Sequence, residues 1–311
     1  MNREPANRSM GFFAIYKEAF KLTALNKKIF SQITLTILLP LAFFYLSDIQ
    51  ISKFIHTKTY PEKETSRWIA YGITQSIYLI LLLIFTLWST SSVIYTTACF
   101  YTSRDITYKK VTGVLGKLWG RLIVTFLWCF FTVALYTFVA LGFWWLNIFD
   151  EEGRIRPLAF IICLLIPVLA VLTFFIVVCS IATVVTVLEK DYGGRAFAKS
   201  MVVLIKGKIL VSCTVFGLLE TALTGIIFMF CYLVVYGNKM SLVGKVFVGI
   251  GCHLLLAVWI HFLLVVQTVV YFVCKSVHNE DVSTVGSHLE IPVIHLGREI
   301  KDVQLERVPA V

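Results

Sequence analysis

Six apolar runs divide the chain: 29–48, 69–100, 122–146, 158–188, 209–236 and 246–274. Each has about the 20 residues or more that a helix needs to cross a bilayer. Asp48, ending the first run, and Glu220, inside the fifth, are their only acidic residues, and no Lys or Arg interrupts them. Spans two and four are long enough to tilt or to extend beyond the hydrocarbon. Pro40 and Pro167 lie inside spans, where each predicts a kink.

The segments between runs carry a second pattern. In VVTVLEKDYGGRAFAKSMVVLIKGKILV, Arg195, Lys199 and Lys206 fall within roughly 40° of one another on a helix turning about 100° per residue. Phe197, Met201, Leu204 and Ile205 cluster on the far side. A basic stripe opposite an apolar one predicts a helix lying in the headgroup region, and Gly193 and Gly194 let the chain turn into it. Lys17, Lys21 and Lys28 repeat the arrangement before the first span, and Lys110, Lys117 and Arg121 before the third.

Each of these elbows precedes two spans. The predicted fold is therefore an all-α polytopic membrane protein of six transmembrane helices, built as three elbow-plus-hairpin repeats. Residues 1–28 form an N-terminal segment with an amphipathic elbow, 29–274 the membrane domain with further elbows near 104–121 and 191–208, and 275–311 a tail of mixed charge. The tail lacks a core and reads as solvated.

Composition agrees with this reading: 58% of the 311 residues are hydrophobic and 15% charged, so lipid must solvate most of the surface. The net charge of +10 would suit a nucleic-acid partner if it were concentrated, but the bases are spread over short loops. With the N-terminus inside, 20 of the 28 Lys and Arg fall on the inner side, which places both termini in the cytosol. The expected partner is then the bilayer itself, with anionic headgroups at the nine elbow cations and no nucleic acid. Each such contact is worth about 1 kcal/mol. No apolar core with a cleavage site begins the chain, so the first span is expected to act as its own insertion signal.

Candidate chemistry is sparse. All eight cysteines lie in the spans, which argues against a disulfide framework and for packing roles, with Cys99 and Cys274 as alternative palmitoylation sites near span ends. Glu220 falls near mid-membrane, where ionisable groups are costly and face a bundle interior or a cavity. Counted from the outer turn of the last hairpin, His261 reaches similar depth and His253 lies about two turns outward. A Glu220–His261 hydrogen bond is expected. It reads either as a neutral pair fixing span five to span six, which we favour, or as a proton relay or cation site. Gly217, Thr221 and Gly225 form a small-residue stripe expected to pack. The carboxylates of Asp150–Arg154 read as a turn, and the sequon at Asn7 would be unused in the cytosol. Enzyme motifs and metal-ligand spacing are absent from the sequence, so no catalytic, cofactor or metal residues are assigned.

The segments YKEAFKL, NKKIFSQITLTILLPLAF, SVIYTTACFYTSRDITYKKV, LEKDYGGRAFAKSMVVLIKGK and VCKSVHN resemble a plant family of uncharacterised six-span membrane proteins. Some members carry a label as binding proteins of a polyadenylate-binding protein, an interaction for which these spans hold no signal. The second and third elbows are more distantly similar to the membrane domain attached to some bacterial glycerophosphodiester phosphodiesterases, a domain without catalytic residues. The resemblance implies architecture and no activity. The expected function is a non-enzymatic membrane scaffold or regulatory component, and the alternative is a small-solute or ion transporter using the Glu–His pair.

Overall fold

The computed structural model describes residues 11–58, 64–101, 108–148, 158–207, 209–237 and 241–277. Every regular element among them is helical. Six helical stretches are long and apolar enough to cross a membrane: Lys27–Lys53, Tyr71–Tyr101, Leu118–Asn147, Phe160–Leu188, Ile209–Val235 and Leu242–Ser276. The chain is thus an all-α polytopic protein.

A short helix, α1 (Phe12–Leu25), leads through Asn26 into α2 (Lys27–Ile33), a π turn (Thr34–Leu38) and α3 (Leu39–Lys58), which together make the first span. Pro40 explains the π turn: it has no N–H to donate and its ring displaces the carbonyl four residues back, so the register widens just upstream. Helices α4 (Glu64–Tyr101), α5 (Tyr108–Ile148) and α6 (Leu158–Leu188) follow, and Pro167 leaves α6 unbroken. An elbow, α7 (Gly194–Lys206), precedes α8 (Ile209–Phe230), a second π turn (Cys231–Val235) and α9 (Leu242–Val277).

Two of the three expected elbows are separate helices. The middle one is not: from Tyr108 onward it is the first part of α5, which runs without interruption past Gly113, Gly116 and Gly120. A Cβ added at any of these glycines would meet nothing within 4 Å, so neither a bend nor a close neighbour calls for them. The first elbow also ends earlier than expected. Asn26 separates Lys28 from the helix bearing Lys17 and Lys21.

Packing is uneven along the membrane normal. Buried positions concentrate at the end bearing α1 and α7, here the basic end: Leu87–Cys99 of α4, Val177–Leu188 of α6 and every residue of Leu264–Lys275 in α9. Helix α9 is the hub, touching α1, α3, α4, α6, α7 and α8. Toward the other end α5 and α6 present Phe131, Phe138, Trp145, Ile166 and Leu169 outward, as lipid-facing surface does. Thr and Ser hydroxyls return to carbonyls three or four residues back, for example Thr96 to Ser92, Thr97 to Val93 and Thr268 to Leu264, which satisfies them without water.

Cys99 and Cys274 are 4% and 1% exposed, so both are packing residues and neither presents a thiol for acylation. The tail from residue 278, the Asp150–Arg154 loop, Asn7 and the side chains of Lys110 and Lys117 lie outside the described residues.

Candidate functional site

The elbow α7 is held by backbone geometry first. Gly193 has φ of +61°, a conformation that non-glycine residues enter at a cost, and its N–H donates to Thr125 Oγ1 on α5 at 2.8 Å. Thr125 also meets Thr186 Oγ1 at 2.9 Å, tying α5, α6 and the elbow into one node. At the other end Gly207 packs so closely that an added Cβ would lie 3.1 Å from Cys274 Sγ. Between these ends Ala196, Ser200, Val203 and Leu204 are buried. Phe197 and Met201 are only half-buried and Ile205 is 58% exposed, so the inward face is rotated from the one expected.

A charge cluster completes the elbow. Glu189, just past the end of α6, accepts from Lys275 Nζ at 2.9 Å and from the Tyr271 hydroxyl, and forms an ion pair with Lys199. Lys199 reaches Asp191 as well, at 3.2 Å. Burial acts to raise the Glu189 pKa, but hydrogen bonds from Lys199, Tyr271 and Lys275 outweigh it and hold the carboxyl below the ordinary range. Burial likewise acts to lower Lys199, and Glu189 with Asp191 reverses it, raising the ammonium above its usual value.

This cluster corrects one expected lipid contact. Lys199 is committed to two carboxylates and cannot serve as a free headgroup ligand. Arg121 is half-buried, with its guanidinium 5.9 Å from the Tyr192 ring centroid. Lys17, Lys21, Lys28, Arg195 and Lys206 are exposed, as headgroup contacts require. On α1 the exposed Phe13 and Phe20 accompany Lys17 and Lys21, while Ile15, Ala19 and Leu22 pack inward. The Tyr16 hydroxyl donates to Val215 O at 2.8 Å and its ring stacks on Phe262, fixing α1 against α8 and α9.

The expected Glu220–His261 pair does not form. His261 Nδ1 lies 3.2 Å from Thr34 Oγ1 on the first span, and its ring meets Phe30 edge-on. His253 donates from Nδ1 to Gly249 O at 2.6 Å, within its own helix, and sits between the Phe43 and Phe230 rings. No described residue pairs with the Glu220 carboxyl, which lies within Coulombic reach of the Tyr45 hydroxyl on α3. Sequence depth matched Glu220 to His261 correctly enough, but helix rotation decides which neighbour a side chain faces. Helices α8 and α9 are joined instead by Trp259 Nε1, donating to Leu219 O at 3.0 Å. The small-residue stripe packs only at one end: a Cβ on Gly217 would lie 3.9 Å from Thr173 Cγ2 on α6, while Thr221 and Gly225 are exposed and a Cβ on Gly225 would touch nothing.

Sequence reasoning missed three things. Glu189 and Lys275 stand just past two apolar runs, and that position at matching span ends was the available signal for their pairing. Thr34 carried none beyond its neighbourhood to Pro40. A buried polar band, Ser91, Ser92, Thr96 and Thr97 on α4 with Gln267 and Thr268 on α9, was visible as the letters STSS and QT but not as interior. Among the described residues no group of three or more His, Cys, Asp or Glu is placed to hold a metal ion.

No curated protein and no solved structure matches the chain. A family model described as a domain of unknown function, DUF8558, matches residues 1–308, and the chain belongs to that family.

Proposed function

We propose that this protein is a non-enzymatic scaffold or regulatory component of a membrane, with its basic end and both termini in the cytosol. The observation that carries the reading is the elbow α7, clamped by Glu189 to Lys199 and Lys275 while Arg195 and Lys206 stay exposed. Lys17, Lys21 and Lys28 on α1 and α2 are exposed as well, and cations of this kind suit anionic headgroups. The transport alternative loses its main support because Glu220, His253 and His261 each face a different neighbour.

The test is thermal unfolding in nanodiscs of neutral lipid and of mixed neutral and anionic lipid. Anionic lipid raises the midpoint of the wild type at low salt. The double variant Arg195→Gln, Lys206→Gln keeps its midpoint in neutral lipid and loses part of that gain. An identical gain in the variant at every salt concentration sinks the collar reading. Liposome uptake assays across a pH gradient give no flux, and a flux abolished by Glu220→Gln would reinstate transport.

A further inference from the structure

Helices α5 and α6 run antiparallel and meet along one seam. Toward the basic end Thr125 Oγ1 and Thr186 Oγ1 are 2.9 Å apart. Toward the other end the Tyr136 hydroxyl donates to Val168 O at 2.8 Å, and the Tyr136 and Phe175 ring centroids are 5.3 Å apart. Cys129 stands one turn beyond Thr125, and Cys179 one turn beyond Phe175 in the opposite direction, so both fall between these fixed points. Their thiols are within hydrogen-bond reach of each other. Side chains as short as threonine touch across the seam only where the backbones come near the separation a disulfide spans, Cα atoms roughly 4.4–6.8 Å apart.

The two thiols differ in setting. Cys129 is 7% exposed, whereas Cys179 is half-buried. From Leu118 to Cys129 is about 16 Å of helix, and from Leu188 back to Cys179 about 14 Å, at about 1.5 Å per residue. That is close to half of a hydrocarbon core about 30 Å thick. Water-soluble oxidants are poorly soluble at such depth, because their polar groups lose hydration there. An acyl-chain hydroperoxide carries its O–O bond within the hydrocarbon. A thiol that it oxidises becomes a sulfenic acid, and a second thiol in contact converts that acid to a disulfide.

We infer that Cys129 and Cys179 are a redox pair that a lipid hydroperoxide oxidises to a disulfide, locking α5 to α6. The half-buried Cys179 sulfur attacks the terminal peroxide oxygen and the O–O bond breaks. The lipid oxygen takes the Cys179 proton and leaves as an alcohol, and Cys179 becomes the sulfenic acid. Cys129 sulfur then attacks that sulfur, the S–O bond breaks, and the hydroxyl leaves with the Cys129 proton as water. The two sulfurs lose two electrons and the peroxide gains them. The thiolate is the faster nucleophile and hydrocarbon disfavours it, so the reaction is slow and stoichiometric. The pair records peroxide exposure and does not turn over. Neither cysteine adjoins the exposed cations of α1 and α7, so this inference stands apart from the headgroup reading.

The experiment treats the purified, reduced full chain in liposomes with linoleic acid hydroperoxide or with hydrogen peroxide at equal concentration. Intact mass and non-reducing peptide maps are followed over hours. The lipid hydroperoxide removes the two thiol hydrogens and links the Cys129 and Cys179 peptides of one chain, several-fold faster than hydrogen peroxide does. Oxidised protein unfolds at a higher midpoint than reduced protein, and a reductant reverses the shift. In Cys129→Ser the sulfenic acid persists on Cys179 and is captured by dimedone, while Cys179→Ser yields no adduct on Cys129. Mapping the wild type needs neither variant to fold. A wild type that forms no such link with the hydroperoxide, or with diamide as a second oxidant, overturns the pair, as does a link between two chains. Dimedone on Cys129 in Cys179→Ser overturns the order of attack. Equal rates with the two peroxides overturn the lipid oxidant.

Discussion

Lys275 Nζ lies 2.9 Å from Glu189 Oε1, an ion pair between residues 86 apart in sequence that joins the end of α9 to the elbow leaving α6. Both side chains are largely buried, at 9% and 13% exposure. Removing one member of such a pair leaves the other charge without compensation, a loss of about 3 kcal/mol. Glu189→Gln should therefore lower the unfolding midpoint markedly. The double variant Glu189→Gln, Lys275→Met should recover most of the loss. A single-variant midpoint equal to wild type would show that the pair is dispensable.

The same carboxyl sets an acid limb. Its folded pKa lies below the unfolded value, so its contribution is complete above the unfolded pKa of about 4.3 and fades as pH falls through the folded value. Lys199 has the opposite sign: its folded pKa is raised, so its contribution is complete below about 10.4 and is lost as pH rises further. Midpoints measured from neutral pH down through the carboxylate range should decline in the wild type and decline less in Glu189→Gln. Parallel profiles would remove Glu189 as a source of the limb.

Gly193→Ala should destabilise by about 1–2 kcal/mol, because the residue has φ of +61° and the new Cβ would lie 3.0 Å from Val124 Cγ1. Gly116→Ala is the control. It adds a methyl in open space within α5, where Ala is favoured over Gly by up to about 1 kcal/mol. Thermal unfolding of the two variants should move in opposite directions. Equal shifts would mean that the turn geometry is not limiting.

Thr34→Val should cost about 1–3 kcal/mol by stranding His261 Nδ1 in the interior. Glu220→Gln should not destabilise, since no described side chain depends on that carboxyl. A ranking reversed in unfolding assays, with Glu220→Gln the more damaging, would restore a structural pairing of Glu220.

The sequence by itself determined everything that depends on one dimension. Run lengths set the six crossings, because an unpaired backbone in lipid leaves helix as the sole form for an isolated apolar segment of that size. Gly193 announced the turn into α7, and the exposed Lys17, Lys21, Arg195 and Lys206 follow from amphipathic spacing alone. Rotation of each helix about its axis, and the choice of neighbour, belonged to the tertiary structure. His261 shares its approximate depth with Glu220 yet faces Thr34, because burial of Leu264–Lys275 fixes how α9 turns. Lys199 fits the basic stripe yet is held by Glu189 and Asp191, since a desolvated carboxylate beside it binds more strongly than a distant headgroup. The continuous α5 is the same lesson at the backbone: three glycines permit a bend there, and no packing partner exacts one.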